Sequence, residues 1–131
     1  MNELFTNEFL QELFPRGKDD EFFDALYGGA EEGAFDISLT FGSFEPETGR
    51  LILEYRLTER PGKCMACSLT YGLPQVMERH PIIDLKGTVE KICQRIGPCW
   101  SVEGWTLGRT TPYAPKVNVI PFILQLKKVE V

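Results

Sequence analysis

Cys64-Met65-Ala66-Cys67 is a C-x-x-C pair, set among Arg60, Pro61, Gly62 and Lys63 and followed downstream by the only histidine of the chain, His80. Two thiols at this spacing can close on one tetrahedral metal ion or on each other as a disulfide. A zinc site needs further ligands, and His80, Cys93 and Cys99 have the right chemistry. Their spacing matches neither a second C-x-x-C nor an H-x-x-x-H arrangement, and Cys93 falls on an apolar helical stripe. For thiol-disulfide exchange, Lys63 and Arg60 would favour the thiolate. A thioredoxin-type motif, however, opens a long helix after a strand, and Gly72 and Pro74 interrupt any helix soon after Cys67. Simply packed or partly exposed thiols are therefore expected, with no cofactor. Zinc held by Cys64, Cys67 and His80, or a reactive dithiol, is the alternative.

Other chemistries have less behind them. His80 and Asp84 could pair as a base and its orienting carboxylate, but no serine stands in a nucleophile-elbow context. Gly28-Gly29 and Gly33 lack both the spacing and the lysine of a phosphate loop. The chain carries a net charge of -5. Its best basic run, Arg56, Arg60 and Lys63, is interrupted by Glu54 and Glu59, so a nucleic-acid surface is not expected. The first residues carry Glu3, Glu8 and Glu12 without a basic leader, and no apolar run approaches membrane-spanning length. A cytoplasmic protein with reduced thiols and no membrane partner follows as the expectation.

The elements that must position these residues are legible as periodicities. Leu4, Phe5, Phe9, Leu13 and Phe14 recur at helical spacing until Pro15-Arg16-Gly17 ends the pattern. A second helix, capped by Asp19 or Asp20, should bury Phe22, Phe23, Leu26 and Tyr27 and stop at Gly28-Gly29. The period then becomes two: Phe35, Ile37, Leu39 and Phe41, and again Leu51, Leu53, Tyr55 and Leu57, with Glu45-Pro46-Glu47-Thr48-Gly49 as the turn of an antiparallel hairpin. An even register keeps these apolar residues on one face and sets Asp36 near Arg56 on the other. Residues 61–84 have no clean period beyond a short helix over 74–79. Leu85, Val89, Ile92, Cys93 and Ile96 mark a further amphipathic helix closed by Gly97-Pro98. Trp100, Val102, Trp105 and Leu107 predict a third strand with a bulge near Gly104, and Ile120, Phe122, Leu124 and Leu126 a fourth. Pro121 cannot donate to a ladder, which predicts an edge strand or a bulge there.

With 131 residues, 43% hydrophobic and 25% charged, the chain suits one α+β domain that needs no metal or disulfide to fold. The order α-α-β-β-α-β-β predicts a four-stranded antiparallel sheet with helices packed on one face. Trp100, Trp105 and Tyr113 could form a recognition surface, although core packing is the expected role of tryptophans on a strand. Long ordered connections are enriched in functional sites. Residues 61–84 are accordingly expected to bind a protein or small-molecule partner without catalysis, through Lys63, Tyr71, Gln75 and His80. The strand containing Pro121, if at an edge, could also pair with a second copy as a homo-oligomer.

Residues 60–83, RPGKCMACSLTYGLPQVMERHPII, resemble a segment of small uncharacterised bacterial proteins of about this length, some of which carry a homeobox label. The resemblance brings no activity. A homeodomain recognition helix needs a basic Trp-Phe-x-Asn-type stretch, which this acidic chain lacks, so DNA binding is not expected.

Overall fold

The computed structural model describes residues 2–28, 35–62 and 73–129. A 3-10 turn at Asn2–Leu4 leads into helix α1, Asn7–Leu13, whose N-cap Thr6 accepts the Phe9 N–H at 3.2 Å. Its apolar stripe, Phe9, Leu10 and Leu13, is buried. Helix α2 spans Lys18–Tyr27, and Gly17 rather than an aspartate takes its N-cap position. Asp19 and Asp20 instead lie in the first turn, where a carboxylate suits the helix dipole. Phe22 and Phe23 are buried as expected, while the side chains of Leu26 and Tyr27 lie outside the described part of α2. The short helix α3, Leu73–Arg79, matches the short helix expected over 74–79 and is, among the described residues, a fourth α-helix beside the three of the predicted order. Helix α4, Leu85–Ile96, buries Leu85, Val89, Ile92 and Ile96 on the stripe read from the sequence.

Five strands form one antiparallel sheet: β1 Phe35–Glu45, β2 Arg50–Glu59, β3 Trp100–Leu107, β4 Thr111–Ala114 and β5 Val117–Lys128, in the order β1-β2-β5-β3. Since β2 runs along one side of β5, β4 and β3 share the other, one after the other. The fold is α+β as predicted, but with five strands instead of four. Strand β4 is exposed along its whole length, so it has no buried alternation that a sequence pattern could reveal.

Pro121 corrects the edge-strand expectation, because β5 is paired on both sides. The Pro121 carbonyl accepts the Gly108 N–H at 2.8 Å, in the interval where β3 has ended and β4 has not begun. The imide nitrogen faces the same side, so the missing N–H removes no ladder bond. A side chain at position 108 would put its Cβ 2.6 Å from Pro121 Cγ, which is why glycine stands there. The edges of the sheet are β1 on one side and β3 with β4 on the other, so self-pairing through the Pro121 strand has no open edge to use.

Two bulges keep the apolar residues on one face. Gly42 interrupts the β1–β2 register between Phe41 and Ser43, returning Phe44 to the side of Leu51. Glu103 does the same between Val102 and Gly104, so Trp100, Val102, Trp105 and Leu107 all share the face of Leu126, Leu124 and Phe122. The helices cover that face. Tyr55 stacks on Phe122 at 5.9 Å between ring centroids and meets the edge of Phe14 at 5.7 Å. Trp105 packs edge-on against Phe122 and Trp100 against Phe44, the core role expected of both tryptophans. Each such ring contributes on the order of 1.5–3 kcal/mol by leaving water. Among the described residues no helix is long and apolar enough to cross a membrane.

Candidate functional site

The connection over residues 61–84 leaves the sheet at Arg60, just beyond β2. Arg60 Nε donates to Asp36 Oδ1 at 2.9 Å, one terminal nitrogen donates to Asp20 Oδ1 at 2.7 Å, and the same nitrogen lies 3.8 Å from Asp19 Oδ2. Its guanidinium also covers the Phe23 ring at 5.3 Å. The predicted pairing of Asp36 with Arg56 is therefore replaced: Thr58 stands opposite Asp36, and Arg60 reaches back from past the strand end. Burial works against the Arg60 charge, but the hydrogen bonds to Asp36 and Asp20 outweigh it and hold the pKa above the ordinary arginine value.

Asp19 is buried, and its carboxylate is answered by backbone. Oδ1 accepts the Asp20 N–H at 2.8 Å and Oδ2 accepts the Ile37 N–H at 3.0 Å. Ile37 belongs to the edge strand, so this carboxylate satisfies a donor that would otherwise face outward. The sequence signal was present in Asp19 and Asp20, but it resembled helix capping more than sheet-edge closure.

The connection returns at His80, whose ring meets Phe22 edge-on at 5.0 Å and whose Nδ1 accepts the Ile82 N–H at 3.2 Å. Both ends thus rest on α2, at Phe23 and Phe22. Asp84 is not the orienting carboxylate of a His80 base: its Oδ1 accepts the Gly87 N–H at 3.2 Å as the N-cap of α4. With Nδ1 engaged, Nε2 is the His80 nitrogen left for any other partner. Lys63, Cys64, Cys67 and Tyr71 lie outside the described residues, and Gln75 sits on α3 with its side chain also outside them. Cys93 is partly buried against the core and Cys99 is exposed. Among the described residues no three His, Cys, Asp or Glu side chains are grouped to hold a metal ion.

Beside the Arg60 cluster lies a groove of about 560 Å³ between α1, the link to α2 and the outer edge of β1. Leu10, Gln11 and Phe14 line it from α1 and its C-terminal end, Asp20 from α2, and Ser38 and Leu39 from β1. Ile37 directs its N–H away from β2, to Asp19, and by the alternation of a strand the N–H and C=O of Leu39 point to that same side. The groove therefore combines apolar and amide side chains, Arg16 and the carboxylates of Asp19, Asp20 and Asp36 with main-chain groups at a sheet edge. Such a mix can hold an extended chain by hydrogen bonds and apolar contact together.

On the other face of the sheet, Tyr113 is 57% exposed, separated from the tryptophans with which it was grouped. It is the bulged residue of β4, between Pro112 and Ala114 in the register, and its ring lies 4.4 Å from the Arg56 guanidinium carbon. Arg56 Nε is buried with no hydrogen-bond acceptor. The chain matches no protein-family model, no curated protein and no solved structure.

Proposed function

We infer that this chain is a binding domain that takes an extended polypeptide segment of a partner protein in the groove between α1 and the β1 edge. The observation that carries the reading is the outward-facing main chain of Leu39 on the wall of a groove whose volume suits a short peptide stretch. Asp19 already satisfies Ile37, so an incoming strand would register on Leu39, with apolar side chains against Leu10 and Phe14. Residues 61–84 belong to the same reading: they follow directly on Arg60, which is bonded to two residues of the groove, Asp20 and Asp36. Lys63, Tyr71, Gln75 and His80 remain the side chains of that connection proposed to reach the partner.

Selection of a random peptide library on the full chain tests this, followed by amide chemical-shift mapping with the enriched peptides. The expected result is peptides of micromolar affinity, about -8 kcal/mol, that shift the amides of Ile37, Leu39 and α1. A Gln11→Trp variant, which fills the groove from an exposed position, should weaken them about tenfold or more. Enriched peptides that leave those amides unmoved, or no enrichment at all, would refute the groove as the site.

A further inference from the structure

A different surface carries a separate inference. The helices cover one face of the sheet, and the opposite face has at its centre a strip of Ile52, Val119, Pro121 and Ile123, none of which joins the hydrophobic core. Val119 is nonetheless only 7% exposed, in the cross-strand row of Arg56. Within this strip stand two charges of opposite sign, Glu54 and Arg56, on one strand and one face. Neither forms an ion pair among the described residues. Residues two apart on a strand face lie some 7 Å apart, too far for a direct bond without bending toward each other, and the stacking on Tyr113 holds the Arg56 guanidinium elsewhere.

We propose that two copies of this chain pack together, about a twofold axis, the sheet faces that no described helix covers, with Arg56 of each copy bonded to Glu54 of the other. An isologous interface requires a patch complementary to itself. One cation and one anion flanking the axis at equal spacing meet that condition, because rotation brings each opposite its counterpart. The half-buried Ile52, Pro121 and Ile123 supply the dry centre, Arg56 is the kind of residue that anchors interfaces, and Tyr113 at the rim shields the pair from water. This face is distinct from the groove at the β1 edge, so either can fail without the other.

Sedimentation velocity of the full chain, from about 1 to 200 µM, reads the result directly. Wild type is expected to shift from monomer to dimer within that range. Arg56→Glu should weaken the dimer about tenfold or more by placing carboxylates opposite each other, and the charge-swapped double variant Glu54→Arg/Arg56→Glu should recover to within about threefold of wild type. A wild type that stays monomeric throughout overturns the proposal, with no variant needed. A double variant as weak as Arg56→Glu, at unchanged circular dichroism, overturns the reciprocal pairing.

Discussion

Arg56 and Arg60 are four positions apart on the same stretch of chain, and their surroundings are opposite. Arg60, with a side chain 16% exposed, is bonded to Asp20 and Asp36, lies near Asp19 and covers Phe23. Arg56 has one aromatic neighbour, Tyr113, and no ion pair among the described residues. The difference comes from position. Arg60 lies just past the end of β2, where it can reach around to the β1 edge and to α2, and its interactions close the fold upon itself. Arg56 stands in the middle of a sheet face that no described helix covers, with small hydroxyl and apolar neighbours across the ladder, Ser38 and Val119, which cannot balance a charge. One arginine serves folding, and the other is the one proposed to meet a second copy of the chain.

The largest expected effect is on the Arg60 side. Asp19→Ala removes the acceptor of the buried Ile37 N–H and one carboxylate beside Arg60, and should lower stability by about 2–3 kcal/mol in urea unfolding. A loss under about 0.5 kcal/mol would place Asp19 among ordinary surface charges and dissolve the contrast with Arg56. Tyr55 gives an intermediate effect and tests whether an unpartnered polar atom inside the core behaves differently from one on the outer face. Its hydroxyl is buried without a hydrogen-bond partner; Thr88 is near, but its hydroxyl donates to the Asp84 carbonyl. Burial pushes the Tyr55 pKa well up and Thr88 only partly opposes this. The unfolded chain therefore releases this proton from about pH 10 while the native state keeps it, so stability is full below that pH and falls above it by about 1.4 kcal/mol per pH unit. Tyr55→Phe should remove that part of the alkaline loss and cost no more than about 0.5 kcal/mol at neutral pH, since it deletes an unsatisfied group; an unchanged alkaline slope would show that the hydroxyl is not the titrating group. The smallest effect belongs to Asp36→Asn. Asp36 is largely exposed, so its bond to Arg60 should contribute only about 0.2–1 kcal/mol, read as a small shift of the urea midpoint that high salt erases.

Much of this arrangement was written in the periodicities. The apolar residues of β1 and β2, the stripe of α4 and the bulge between the two tryptophans each follow from a pattern with one physical cause, burial of one face. What escaped depended on pairing between distant segments. Pro121 looked like an edge residue because a sequence shows the missing N–H but not the gap at Gly108 that excuses it. Asp36 was assigned the arginine nearest in register, since a strand pattern says nothing of how far Arg60 can reach past a strand end. The groove has no local signature at all: it exists because the link between α1 and α2 brings Leu10, Gln11 and Phe14 alongside an edge whose donor Asp19 has partly closed.

The contrast between the two arginines is most directly tested by unfolding Arg60→Met and Arg56→Met side by side in urea, at protein concentrations low enough to keep the chain monomeric. Methionine preserves the apolar stem of each side chain and deletes its charge. Arg60→Met should lose about 2 kcal/mol, because it strands a buried carboxylate among two others, while Arg56→Met should stay within about 0.5 kcal/mol of wild type. Equal losses, or a larger loss at Arg56, would contradict the assignment of Arg60 to the fold and of Arg56 to a partner.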